Sequence, residues 1–229
     1  MRSSYRTTAL VLGGAAGIVG VSFGALAVAA GISPLTACAM SVIVFAGGSQ
    51  LAATSVLAAG GSPIAAVASG LLLNSRYIAF GFAVAPRFAG VRARERALAA
   101  HLLVDESAAL ALAQRYPTEA RGAYRASGLA VFVFWNIGAA LGAYGGNALG
   151  DANALGLDAA SPAAILAMLV PQLDSRRARA AAAIAAVIAL AGSLVLPPGL
   201  PVLIAATAPV LAMMIPPRRS FLLAAEGAS

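Results

Sequence analysis

Charge is what this sequence has least of: only 10% of its 229 residues are charged, eight are acidic, and all fifteen basic residues are arginine. Soluble domains carry about 25% charged residues, so an ordinary water-facing surface is excluded. Cysteine and histidine occur once each, as Cys38 and His101. No intramolecular disulfide can form, and one His and one Cys in different segments provide no recognisable metal-ligand set. Aromatics are sparse at 6% and are not interleaved with a basic stripe, which argues against nucleic acid as a partner. The chain also offers no nucleotide-binding loop, and no cofactor is expected.

What remains is apolar. Hydrophobic residues make up 61% of the chain and the mean hydropathy is +0.89, values of a protein whose main solvent is lipid. Apolar segments fall at about residues 9–30, 35–59, 63–85, 97–113, 127–149, 160–174, 178–196 and 200–215. Many approach the ~20 residues that span a bilayer. The sequence therefore predicts an all-α, polytopic transmembrane helix bundle of six to eight membrane segments, some broken or re-entrant, forming one integral membrane domain over residues 1–229. Arg2 and Arg6 before an apolar run, with Ala27-Val28-Ala29 beyond it, imitate a signal peptide. The run from Ala9 to Ala30 exceeds the 7–15 residues of an h-region and is expected to be the first transmembrane helix.

Connections are short, and Gly31-Ile32-Ser33-Pro34, Gly60-Gly61-Ser62-Pro63 and the stretch closing at Ser161-Pro162 each end in Ser-Pro. That pair suits a capped helix start with proline in the first turn. Arginines cluster at Arg2/Arg6, Arg87/Arg92/Arg94/Arg96, Arg115/Arg121/Arg125, Arg176/Arg177/Arg179 and Arg218/Arg219, and the positive-inside rule places all of them, with the N-terminus, on the cytoplasmic side of a multi-pass protein. The loop holding Asp151 and Asp158 then lies outside. Three full crossings between Arg6 and Arg87 break the rule, so one segment between 35 and 85 should be broken or re-entrant. Gly47-Gly48-Ser49-Gln50 and Asn74-Ser75-Arg76 are the two places for it, since paired glycines weaken a helix and an arginine at bilayer depth costs roughly 2.5–3.5 kcal/mol. Segment 97–113 lies between two arginine clusters and is expected to enter and return, or to lie at the interface. Glycines at Gly13/Gly17, Gly20/Gly24 and Gly138/Gly142/Gly146/Gly150 recur on single helix faces and serve either internal packing or the docking of a second subunit.

Few polar groups interrupt the apolar segments: Ser41, Ser49, Gln50, Asn74, Arg76, His101, Asp105, Glu106 and Asn136, the last beside Trp135. Intramembrane ionisable groups are functional candidates by default. Asp105 and Glu106 are adjacent, so at most one can point into a cavity, and they serve either as a proton-coupling pair or as anchors for nearby arginines such as Arg92, Arg94 and Arg115. His101, one turn before Asp105, is a possible relay partner. As an enzyme alternative, Ser49 in its small-residue turn resembles the nucleophile of an intramembrane serine protease with His101 as base.

Taken in order, Phe23-Gly24-Ala25-Leu26-Ala27, Gly31-Ile32-Ser33-Pro34, Met40-Ser41, Phe45-Ala46-Gly47-Gly48-Ser49-Gln50, Asn74-Ser75-Arg76, Asp105-Glu106, Trp135 with Gly138 and Gly142, and Leu155-Gly156-Leu157-Asp158 resemble the AzlC family of branched-chain amino-acid exporter permeases, over about residues 10–215. Gly48 stands where that family has serine. The resemblance implies a non-enzymatic exporter of branched-chain or similar amino acids in the cell inner membrane, working with a small hydrophobic AzlD-type subunit. A channel or accessory subunit without its own transport cycle is the alternative. A zwitterionic substrate needs a carboxylate site, an ammonium site and an apolar pocket, and half-helix ends provide the first two. The expected substrate-binding residues are accordingly Phe45, Gly47, Gly48, Ser49, Gln50, Asn74, Arg76 and Trp135, with Phe80 in the apolar wall, and the expected proton-coupling residues are Asp105 and Glu106.

Overall fold

The computed structural model describes residues 2–145, 166, 169–170, 173–197 and 200–214. Gly146, Gly150, Asp151, Leu155–Asp158, Ser161-Pro162, Arg218, Arg219 and most of segment 160–174 lie outside the described residues. Among the described residues the secondary structure is helical, with no strand. The chain divides into two compact units, Met1–Ile165 and Leu166–Ser229.

In the first unit, α1 (Arg2–Ala29), α2 (Pro34–Val44), α3 (Gly47–Ala58), α4 (Pro63–Asn74), α5 (Arg76–Val84), a 3-10 turn (Ala85–Phe88), α6 (Ala93–His101), α7 (Asp105–Leu112) and α8 (Pro117–Gly145) follow one another. Both described Ser-Pro pairs start helices as expected. Ser33 Oγ accepts from the Thr36 N–H and Ser62 Oγ from the Ala65 N–H, each at 3.2 Å, with proline at the helix start. The preceding helices stop because Gly31 (φ 84°) and Gly60 (φ 80°) take the left-handed conformation, which only glycine adopts without cost. Each closes a Schellman turn, with the Ile32 N–H on the Ala27 carbonyl and the Gly61 N–H on the Val56 carbonyl.

Among the described residues three stretches are long and apolar enough to cross a bilayer: Tyr5–Ala29, Pro63–Phe88 and Pro117–Gly145. Segment 63–85 is thus long enough for one crossing and is interrupted only at Ser75. Segment 35–59 is the broken one, divided into helices of 11 and 12 residues, each about 16–18 Å long at 1.5 Å per residue and short of the ~30 Å hydrocarbon thickness. The break lies at Phe45 and Ala46 rather than within the paired glycines, and Gly47–Gln50 form the first turn of α3. Segment 97–113 likewise divides, at Leu102–Val104, into helices too short to span the hydrocarbon, and α6 has no buried residue.

Polarity inside this unit is reversed relative to a water-soluble protein. Ile64 is 82% exposed and Phe82 78%, whereas Ser41, Ser49, Gln50, Thr54, Ser69, Ser107 and Ser127 are buried among alanines. Lipid satisfies an apolar exterior, and helices then associate through small residues. The α1–α8 crossing illustrates this: a Cβ added to Gly138 would fall on the Gly17 carbonyl oxygen, one on Gly142 on that of Val21, and one on Gly24 on that of Ala139. The described glycine stripes are thus taken up by internal packing.

The second unit holds α9 (Arg176–Ser193), capped by Ser175 Oγ accepting from the Ala178 N–H, and the short α10 (Leu200–Ala205) and α11 (Ala208–Met213), both packed on α9.

Candidate functional site

The site begins where α2 stops. Phe45 is the one described non-glycine residue with positive φ (39°), a conformation that side chains rarely adopt, and Ala46 then extends the chain (φ −140°, ψ 84°) before α3 starts at Gly47. No side chain caps α3. Its first-turn N–H groups, carrying about half a positive charge between them, are left in the protein interior. Phe45, 3% exposed, holds the break by packing edgewise on Phe132, with ring centroids 4.9 Å apart.

The second interruption faces the first. Ser49 Oγ donates to Asn74 Oδ1 at 2.7 Å and also reaches the Ala46 carbonyl at 2.9 Å. Arg76, the first residue of α5, extends its guanidinium over the first turn of α3, since a Cβ on Gly48 would stand 3.3 Å from Arg76 Nη2. That guanidinium lies 5.3 Å from the Tyr77 ring centroid and pairs with Asp105 Oδ2 at 2.7 Å. Its Nε is buried and has no partner. Asp105 and Glu106 open α7, where the helix dipole favours carboxylates, and Ser107 Oγ caps that start by accepting from the Val104 N–H at 2.9 Å.

The carboxylates consequently differ in role. Asp105 pairs with Arg76, not with Arg92, Arg94 or Arg115, and Glu106 makes no ion pair among the described residues. Trp135 does more than line an apolar wall: its Nε1 donates to Gln50 Oε1 at 3.1 Å while its ring stacks on Phe23. Gln50 is 1% exposed, and among the described residues two buried donors beside the α3 start, Gln50 Nε2 and Arg76 Nε, have no partner. A buried polar group left unpaired costs about 1–3 kcal/mol. Ser41 Oγ and Asn136 Oδ1 are buried and unpartnered as well. Phe80 packs on Tyr77, with centroids 6.2 Å apart, one turn along α5 from Arg76. Tyr77 itself was missed by the sequence argument, although an aromatic next to a lone mid-segment arginine was a legible sign.

His101 is exposed and its ring lies against Phe45 and Phe132, 5.9 and 5.7 Å between centroids. The Ser49 hydroxyl is directed at Asn74 and Ala46. The protease pairing is not assembled. Among the described residues no three His, Cys, Asp or Glu side chains gather in a way that could hold a metal ion. What the arrangement can do is hold a zwitterion: a guanidinium with an uncapped helix start for a carboxylate, and Asp105 for an ammonium group.

Gly47 is the hinge of this geometry, because a Cβ there would come 2.7 Å from Trp135 Cη2. Gly47→Ala should push the indole off Gln50, whereas Gly48→Ala, whose Cβ would meet only the movable Arg76 Nη2 at 3.3 Å and Leu73 Cδ2 in ordinary contact at 3.7 Å, should not. Trp135 is the sole tryptophan, so the emission spectrum of the purified protein reports it directly. A red shift in Gly47→Ala but not in Gly48→Ala is expected, and identical spectra would show that the contact is absent.

The family model described as "AzlC protein" matches residues 12–149. No curated protein and no solved structure matches the chain.

Proposed function

Because the chain belongs to the AzlC family and its described residues include three helical stretches long and apolar enough to cross a bilayer, it is a membrane protein of a transport family, and we propose that it exports branched-chain or similar apolar amino acids by secondary active transport. The observation that carries this reading is the Arg76–Asp105 pair, 2.7 Å long, set beside the uncapped start of α3 where two interrupted segments meet. An amino acid presents the same two charges. Its carboxylate competes with Asp105 for Arg76 and for the α3 N–H groups, and its ammonium takes Asp105 as counter-ion. Binding thus replaces one ion pair by two, which limits the cost of burying a charged solute.

Displacement also supplies coupling. With the amino acid bound and the site open to the outside, a proton arriving down its gradient neutralises Asp105, and the ammonium, deprived of its counter-ion, leaves with the amino acid. Once the site turns inward, Asp105 gives up that proton to the cytoplasm and re-forms its pair with Arg76, so that proton and amino acid cross in opposite directions. Glu106, half-buried and without an ion pair among the described residues, is the second group able to take a proton on this path.

In the topology that goes with this reading, the N-terminus is cytoplasmic and α2 and α3 enter and return. Arg6, Arg87–Arg96 and Arg115–Arg125 then all face the cytoplasm across the inner membrane. Exposed apolar faces on α2, α4 and α5 leave room for a small hydrophobic subunit of the AzlD type. The test is efflux of leucine and valine from loaded cells that express the chain, such a subunit, or both. Faster efflux with both is expected; efflux equal to that of empty cells, with both proteins present in the membrane, removes the exporter reading.

A further inference from the structure

A cavity of about 270 Å³ lies at the arginine-rich end of α5, walled by Gly81, Val84 and Phe88 on one side, by Leu103 and Tyr124 on the other, and bordered by Arg96 of α6. Drug-sized ligands occupy roughly 300–1,000 Å³, so this space suits a molecule the size of one amino acid. Two features give it a direction. Its inner end, Gly81, is five residues beyond Arg76 on the same helix, about 7 Å along the axis. On the opposite wall Leu103 is two residues from Asp105, and a Cβ on Gly81 would stand 3.8 Å from Leu103 Cδ2. The same two strips of chain that carry the Arg76–Asp105 pair therefore separate to form the cavity.

Charge at the rim is free. Arg87 donates to the Gln114 carbonyl, Arg121 to the Arg87 carbonyl, and Arg125 is paired with Glu95. Among the described residues the Arg92, Arg94 and Arg96 side chains have neither hydrogen bond nor ion pair. The Tyr124 hydroxyl is already committed to the Ala99 carbonyl at 2.6 Å, so the interior offers an apolar wall and the rim a cation.

We infer that this cavity is the inner vestibule through which an amino acid with an aliphatic side chain reaches Arg76, its carboxylate guided by Arg96 and its side chain against Val84, Phe88 and Leu103. The inference rests on the transport reading and adds a second, outer station to it. The Arg76–Asp105 pair is then the floor of the vestibule, closed until a substrate carboxylate replaces Asp105.

The test uses the protein co-reconstituted with an AzlD-type subunit, on a Cys38→Ala background. Ala85→Cys and Ala100→Cys each put a thiol on the cavity wall. A charged, water-soluble methanethiosulfonate reagent should label both from the arginine-rich face, and saturating leucine should slow the reaction several-fold where aspartate does not. Gly81→Leu should raise the KM for leucine export about tenfold, the ratio that ~1.4 kcal/mol of steric exclusion gives, without lowering the melting temperature, because leucine is the better helix former. Thiols in a transport-competent protein that stay unlabelled show a lipid-filled cavity and overturn the inference. Labelling indifferent to leucine overturns it as well, by placing the cavity off the substrate's route. Leucine binding to the same preparation keeps the two readings apart: binding that is lost in Arg76→Lys while the cavity thiols give either negative result removes the vestibule alone, and wild-type protein that binds no leucine removes both.

Discussion

Replacing Arg76 with lysine is expected to abolish amino-acid export while leaving the protein in the membrane. Lysine keeps the charge and so retains Asp105, but it lacks the planar fork that can hold one carboxylate while exchanging another, and its shorter reach withdraws the cation from the α3 start. Asp105→Asn acts differently. It leaves Arg76 unpaired at mid-segment, where an arginine costs roughly 2.5–3.5 kcal/mol, so a fall of about 100-fold in the folded-to-unfolded ratio is expected alongside loss of accumulation driven by a pH gradient. Substrate exchange at equal concentrations needs no net proton movement and should persist in whatever protein remains folded, at reduced affinity because asparagine offers the ammonium an acceptor but no counter-charge. The reversed pair, Arg76→Asp with Asp105→Arg, should recover abundance without recovering export. Export in the reversed pair at the wild-type rate, or proton-driven accumulation persisting in Asp105→Asn and in the double substitution with Glu106→Gln, would show that these groups only hold the segments together.

The second large effect is on folding. Gly138→Val and Gly142→Val should each prevent accumulation of folded protein, because the new Cβ would meet the backbone carbonyls of Gly17 and Val21, and backbone cannot step aside as a side-chain tip can. Overpacking costs typically 1–3 kcal/mol and more where nothing yields, and both helices would have to part along their length. Gly14→Ala is the control: nothing lies within 4 Å of its added Cβ, and alanine should leave stability unchanged or raise it by up to about 1 kcal/mol. Membrane abundance and the melting temperature in detergent measure both. Gly138→Val at wild-type abundance and melting temperature would mean that α1 and α8 do not cross in this register.

The helix starts at Pro34 and Pro63 were legible because capping is local: serine, proline and the glycine before them act within one turn. The α1–α8 contact was half legible, since glycines every four residues announce a close approach but not its partner. A break between 35 and 85 was expected either at the paired glycines or at Asn74-Ser75-Arg76, and the one in segment 35–59 falls at Phe45, which no propensity places in the left-handed region. Tertiary packing imposes it, with Phe132 and His101 holding the ring in place. Gly47 proved to be needed for the indole laid across it, a requirement set by a residue on α8. The ion pair was the least legible feature. Nearness along the chain favoured Arg92, Arg94 and Arg115 as partners for Asp105, while the fold brought in Arg76 from another helix, because charges pair by distance in space.

The crossing of α1 with α8 has a further consequence for how such a protein can move. Shifting one helix along the other by a single residue, ~1.5 Å, would carry alanine or valine Cβ atoms onto carbonyl oxygens that now face glycine, so a small slide meets a steric stop. The pair cannot slide, and it behaves as a fixed mast. Any rocking between an inward and an outward face must then be carried by the short helices around it, the half-length α2 and α3 and the interrupted α4–α5, whose two-residue joint at Phe45–Ala46 and single-residue joint at Ser75 are where torsion can be absorbed at least expense to packing.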